Sequence, residues 1–476
     1  RRVRRAPDRS TAQKEPPVTT PARTALSIAD VRASVKGRVI APGDDGYDEA
    51  RVVMLGGIDC QPAVIVRVAG DADVAAVIRL ARETGLELAV RSGGHSGAAH
   101  STVDDGIVLD LRDMKSLDID VAARTAWAET GLTAAEVAAA AGAHGLAIGF
   151  GDTGSVGIGG ITLGGGVGYL VRKYGLTIDD VLAADIVTAD GGYHRLDADT
   201  EPELFWAIRG GGGNFGVVTR FKFRLHPVPS IVGGLLVLPA TRETVAGFIA
   251  AADAAPDGLS TIANVMPCPP VPFVPAEHHG SVVIFAIVAY AGETAEGERV
   301  VASLRALATP IADMVKEEPY AQIYPPEDDS YHPLAITRTL FVDRIDEDVA
   351  DTILAHLNAS DASVRVAQMR VLGGAMARVP AEATAFAHRE SRIMVNVASF
   401  YEGDDDRARR ERWVTDLAAA LRQTDHGAYV NFLMDEGEGR VRAAYPGGTW
   451  DRLVAVKTRY DPTNLFHRNQ NIPPTA

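Results

Sequence analysis

At 476 residues the chain is too long for one ordinary core, so two domains are the starting expectation. Hydrophobic residues make up 46% and charged residues 23%, a soluble globular composition that excludes a disordered or fibrous chain. The formal charge of −15 repels a phosphate backbone and argues against nucleic acid as a partner.

The basic tract Arg1–Arg5, followed by Pro, Ser, Thr and Gln to about Thr24, reads as a flexible tail over 1–25. An export signal needs an apolar run of ~7–15 residues, and none follows. A cytoplasmic location is the expectation, with export left open because the chain does not begin with Met. No run of ~20 apolar residues is present to span a membrane. Cys60 and Cys268 give neither a disulfide framework nor a metal-site spacing. The pair His278-His279 is expected on an exposed loop, and no metal site is foreseen.

From Asp73 to Gly85 the apolar residues have helical spacing and stop at a glycine. Leu86 to Val90 is a short apolar strand that runs into the turn Arg91-Ser92-Gly93-Gly94-His95. Strands are expected at 107–111, 125–129, 180–188 and 217–225, with helices at 132–143 and 201–209. Prolines punctuate 226–230, and a domain boundary is placed there. Beyond it, strands at 235–238, 282–290, 364–372 and 393–400 alternate with helices near 242–254, 294–308, 346–358 and 405–422. That grouping predicts an α+β fold, with an antiparallel sheet backed by helices in the second domain. The divisions are 26–228, 229–427 and a C-terminal segment, 428–476, that returns to the first domain.

Ten of the twenty residues from Gly149 to Gly168 are glycine. Such density weakens any helix or central strand, so the segment belongs where backbone comes close to something. Successive backbone amides can form a concavity for an anion such as a pyrophosphate without any basic side chain. Crowded turns are the plainer alternative. Two G-x-G-x-x-G matches occur, at 149–154 and 211–216, yet neither is expected to open the helix that gives this fingerprint its meaning. Both read as incidental, and loops rather than a helix N-terminus are expected to hold the anion.

Several segments together resemble a known family. Arg91-Ser92-Gly93-Gly94-His95-Ser96, Val156-Gly157-Ile158-Gly159-Gly160 and Gly164-Gly165-Gly166-Val167-Gly168-Tyr169 are similar to the FAD domain of the vanillyl-alcohol oxidase superfamily. The segments 203–212, 214–219, 460–466 and 469–472 point to its berberine bridge enzyme-like branch, which includes bacterial hydroxynicotine oxidases. The resemblance runs from about residue 50 to the end and implies a PCMH-type FAD-binding domain. It also implies that His95 is bonded covalently to the flavin; a turn histidine bonded to backbone is the alternative. Flanking glycines and a neutral imidazole suit such a bond. Many members carry a second link through a cysteine at the position of Thr153, so a single link is expected here. The small Val156 implies an oxidase, which uses O2 and releases hydrogen peroxide.

Carried over on the same motifs, the FAD contacts fall on Arg91, Ser92, Gly93, Gly94, Ser96 and Gly97. They continue through Gly154, Val156, Gly159, Gly160, Thr162, Gly165, Gly168 and Tyr169, then Gly216 and Val218, and finally Asn431, Asn469 and Asn471. On the substrate side, Tyr429 and Asn431 are expected beside the flavin, where they orient substrate or help to take its proton. Many relatives read Tyr-x-Asn-Tyr here, and this chain has Phe432. Alternation along 364–372 puts Gln368 and Arg370 on one face. They either read an anionic or carbonyl substrate or lie on an edge facing water. Asn396 is the corresponding polar position on 393–400. Tyr169 could supply a phenol near the flavin, or pack. The expected chemistry is oxidation of a small alcohol or amine by hydride transfer to flavin N5. The alternatives are a flavin dehydrogenase, an oxidative-cyclisation enzyme of secondary metabolism, or a non-catalytic flavin-binding protein.

Overall fold

Among the described residues four β-sheets, built almost entirely from antiparallel pairs, carry the fold. The protein is described by a computed structural model covering residues 25–475 except 325, 327 and 329, so the tail expected over 1–25 lies, apart from Ala25, outside the described residues.

The first sheet has the order Arg38–Ile40, Val64–Arg67, Ile107–Asp110, Leu88–Arg91, and its last three strands are parallel. The second has the order Leu117–Asp120, Thr125–Glu129, Val217–Arg224, Val181–Val187, Tyr193–Leu196. Helix Asp71–Thr84 supplies Val74, Val77 and Ile78 to a shared core with Val64, Val66, Ile107 and Leu109 of the first sheet and Val187 and Val217 of the second. It ends as the sequence foretold, on Gly85 in the left-handed region at φ 65. Helix Ala134–Gly142 starts on a capping box in which the Thr133 hydroxyl accepts from the Glu136 amide and the Glu136 carboxylate accepts from the Thr133 amide. His226–Pro227 pairs with Leu146–Ala147 as a small third sheet.

From Ile231 the chain enters the largest sheet. Its order is Ala312–Asp313, Ile231–Pro239, Val282–Tyr290, Leu259–Pro267, Arg365–Val371, Ile393–Phe400, Ala335–Val342, with Lys316–Glu318 beside Ile231–Pro239. Helices Arg242–Ala254, Thr294–Arg305, Glu347–Ala359 and Asp404–Ala420 cover one face, where Ala263, Val265, Ala367, Met369, Val395 and Val397 are buried against them. The other face meets the glycine-rich segment. The C-terminal helix Gly448–Tyr460 packs beside helix Pro202–Ala207, with Leu453 and Val456 in the same core as Leu204 and Phe205. Buried Lys457 bonds to the carbonyls of Asn214 and Phe466 and to Asp461.

Strands Leu259–Pro267 and Ala335–Val342 were not foreseen, and Ile231–Pro239 is longer than the expected 235–238. One expectation is overturned within the glycine-rich segment: Ile158–Leu163 forms a short helix with Gly157 as its N-cap. Burial of Ile158 and Thr162 compensates for glycine's poor helix propensity, so packing overrides composition. The segment foreseen as loops alone therefore includes a helical turn.

Candidate active site

Strand Leu88–Arg91 delivers the chain to the turn that bears His95, and the turn lies against the glycine-rich segment with almost no gap. A Cβ on Gly93 would stand 2.2 Å from the Gly157 amide nitrogen, and one on Gly157 would stand 2.2 Å from that of Gly93. No other residue allows this backbone seam. It brings the half-exposed His95 Nε2 to 3.0 Å from the Ser155 hydroxyl. Ser92 secures the seam from below by donating to the Thr130 carbonyl at 2.6 Å.

Arg91, foreseen as a cofactor contact, points elsewhere. It is fully buried and donates to the carbonyls of Ser101, Ala50 and Arg51, so it braces the loop after His95 from behind. Burial pulls its pKa down to about 10 despite the nearby Asp110. In the same loop, burial and then Arg468 push the His100 imidazole down to about 4, which keeps it neutral near pH 7.

Several foreseen cofactor residues carry buried polar atoms without a protein partner. They include Thr162 Oγ1, Asn469 Oδ1 and Asn471 Oδ1. An unsatisfied buried oxygen costs roughly 1–3 kcal/mol, so each of the three calls for a hydrogen-bonding partner from outside the chain. Gly160 is exposed, and a Cβ there would meet nothing within 4 Å. These features fit a dinucleotide lying along the segment. Gly97 is filled instead by the Met434 sulfur, and Gly216 and Val218 lie against Ile186 and Thr130 in the second sheet.

The Tyr429–Asn431 segment works as a pin. The Tyr429 phenol oxygen accepts from the amides of Gly166 at 3.0 Å and Val167 at 3.3 Å, and from Asn431 Nδ2 at 2.9 Å. Asn431 Nδ2 also reaches the Ile161 carbonyl at 3.0 Å. Burial raises the pKa of this phenol, and the three hydrogen bonds only partly oppose it. Gly166 holds a φ of +80 beside it, where a Cβ would stand 1.9 Å from the Thr177 hydroxyl.

Across from the pin, the inner face of the large sheet carries a polar row. Asn264, Gln368, Asn396 and Thr339 stand in register on four adjacent strands. Gln368 Nε2 donates to Asn264 Oδ1 at 2.8 Å, and its Oε1 accepts from Arg370 at 2.6 Å. Arg370 is 3% exposed, pairs with the Asp152 carboxylate, and stands 5.1 Å over the Phe432 ring. The alternation foreseen for this strand holds, but the water-facing edge does not, since Arg365–Val371 has a neighbour on each side. Tyr169 donates to the Asp152 carbonyl at 3.2 Å and Tyr324 to the Gly151 carbonyl at 3.1 Å. Asp152 and Asn264 were not anticipated. Asp152 had a signal, as the one charged residue between Gly149 and Gly168.

A model of the FAD binding domain matches residues 62–197, and a model described as berberine and berberine like matches 428–473. An FAD-linked oxidoreductase of Dictyostelium discoideum is 31% identical, with 93% of this chain and 95% of the relative covered. (R)-6-hydroxynicotine oxidase of Paenarthrobacter nicotinovorans is 32% identical, covering 93% of this chain and 97% of the relative. The chain belongs to the berberine bridge enzyme-like family of FAD-linked oxidoreductases. The crystal structure of 6-hydroxy-D-nicotine oxidase from Arthrobacter nicotinovorans superimposes with a TM-score of 0.82 at 29% identity, covering 93% of this chain and 99% of that one. As a berberine bridge enzyme-like protein it is an FAD-dependent enzyme, and its fold is the mixed α and β architecture that the motifs implied. Among the described residues no helix is long and apolar enough to cross a membrane.

Proposed function

We propose that this berberine bridge enzyme-like protein is an oxidase that carries FAD on a single covalent bond to His95 and oxidises a small alcohol or amine. The carrying observation is the glycine seam that sets the His95 imidazole against Ser155, together with the partnerless oxygens of Thr162, Asn469 and Asn471 on the same family motifs. The Ser155 hydroxyl fixes the orientation of the ring, and the glycines remove the bulk that would keep it away. Thr153, in place of a second tethering cysteine, supports one link, and Cys268 is buried in the other half of the molecule.

FAD held along this segment would supply the two-electron oxidant that accepts hydride from the substrate carbon and, with O2 as acceptor, would yield hydrogen peroxide. The chain's own part is to hold and orient. Tyr429 and Asn431 fix the Gly164–Val167 turn rather than reach toward substrate, and the row from Asn264 to Thr339 offers hydrogen bonds to a polar ligand. The half-buried Val156 keeps a small side chain in the segment, which supports oxygen as acceptor. On this reading residues 26–228 and 428–476 form the cofactor domain and 229–427 the substrate domain.

The purified protein is expected to be yellow and to stay yellow after denaturation and filtration. Mass spectrometry of a protease digest should find FAD on the His95 peptide alone, and His95→Ala should release its colour on filtration. A screen of secondary alcohols, oligosaccharides and cyclic amines for peroxide release then identifies the substrate. A colourless protein that takes up no added flavin would overturn the reading.

A further inference from the structure

Oxidation of an alcohol removes a hydride from carbon and a proton from oxygen, and the proton needs an acceptor within hydrogen-bond reach. The phenols at this site are poorly suited. Tyr169 and Tyr324 already donate to backbone carbonyls, Tyr429 already accepts three hydrogen bonds, and burial raises all three, Tyr324 to about 12. Glu436, at the Thr339 end of the polar row, gives Oε2 to Arg338 and Arg440 and keeps a partnerless Oε1, but at 4% exposure it has no edge through which to return a proton to solvent. Asp152 differs from all of these. It lies within the glycine-rich segment, and its side chain keeps 25% exposure. Its Oδ2 takes the Arg370 guanidinium, while Oδ1 has only a long contact of 3.5 Å from the Thr153 hydroxyl. A carboxylate offers about four lone-pair sites, so capacity remains for a substrate hydroxyl.

Resting on the oxidase reading above, we propose that Asp152 is the catalytic proton acceptor for a hydroxyl-bearing substrate, held in place by Arg370 and Gln368 as positioning residues. The substrate O–H bond breaks toward Asp152 and its electron pair becomes the second bond of the new carbonyl. The C–H electron pair leaves with hydrogen as hydride to the flavin, the oxidant. Asp152 then returns its proton to solvent through its exposed edge. The chain Asn264–Gln368–Arg370–Asp152 runs from the sheet to the glycine segment, so the sheet that binds substrate also aims the base.

The test uses holoenzyme of wild type, Asp152→Asn and Asp152→Glu, matched for bound flavin. Under anaerobic conditions, the rate of flavin bleaching by the best alcohol should fall about 10²–10⁴-fold in D152N and recover in part in D152E. A readout without turnover is the affinity for sulfite, followed by loss of the flavin band. Removing the negative charge should tighten it by about tenfold. A D152N protein that is bleached within threefold of wild type overturns the role of Asp152 and leaves the oxidase reading standing. Bleaching by amines but by no alcohol does the same. A wild-type holoenzyme that no alcohol or amine bleaches overturns both.

Discussion

The two faces of the large sheet use the same strands for opposite ends. On strand Arg365–Val371 the residues Ala367, Met369 and Val371 are buried against helices, whereas Gln368 and Arg370, between them in sequence, join a polar chain that reaches Asp152. Packing carries stability on the first face. On the second, buried polar groups are kept where an apolar residue would pack more cheaply, the usual mark of a site that does chemistry.

Adjacent substitutions should separate the faces most sharply. Arg370→Ala is expected to slow substrate-dependent flavin reduction by at least about 100-fold, because it frees both Gln368 and Asp152. Met369→Ala should leave that rate within about twofold but cost about 2–5 kcal/mol in denaturant unfolding. If the two variants lost activity in parallel, the division between the faces would be wrong. Next in size is Tyr429→Phe. It removes the acceptor of two backbone amides and one side-chain amide, for a loss of about 2–4 kcal/mol and a raised rate of flavin release from a His95→Ala background.

The loop after His95 gives a pH-dependent effect. The folded state holds His100 near pKa 4 against about 6.5 unfolded, so the unfolded chain binds more protons between those values. Stability is therefore complete above about pH 6.5 and declines as pH falls through 4, by about 3 kcal/mol in all. His100→Gln should flatten that part of a melting-temperature profile; an unchanged slope would assign it to other groups. Smallest is Phe432→Leu, which removes the ring beneath Arg370 and should cost about 1 kcal/mol, with a modest rise in KM.

Local signals in the sequence reached local features well. The helix ending at Gly85, the strand into the His95 turn and the alternation of 364–372 were all legible, because each depends on residues a few positions apart. What escaped depends on distance or on packing. Strand Leu259–Pro267 is nearly continuous in burial because it lies in the middle of a sheet, and its alternation is blurred. The Ile158–Leu163 helix forms through burial that glycine counting cannot register. Arg91 belongs to a motif that points to the cofactor, yet its side chain turns toward carbonyls at 50, 51 and 101. Asp152 gains its meaning from Arg370, 218 residues later, and no window along the chain contains both.

The contact between Gly93 and Gly157 also sets a rule for other chains of this fold. A larger residue at either place would force these two stretches of backbone apart, and with them the imidazole and its serine. Those two positions, read together, form a two-letter diagnostic for sorting uncharacterised genomes into chains that keep this arrangement and chains that have abandoned it.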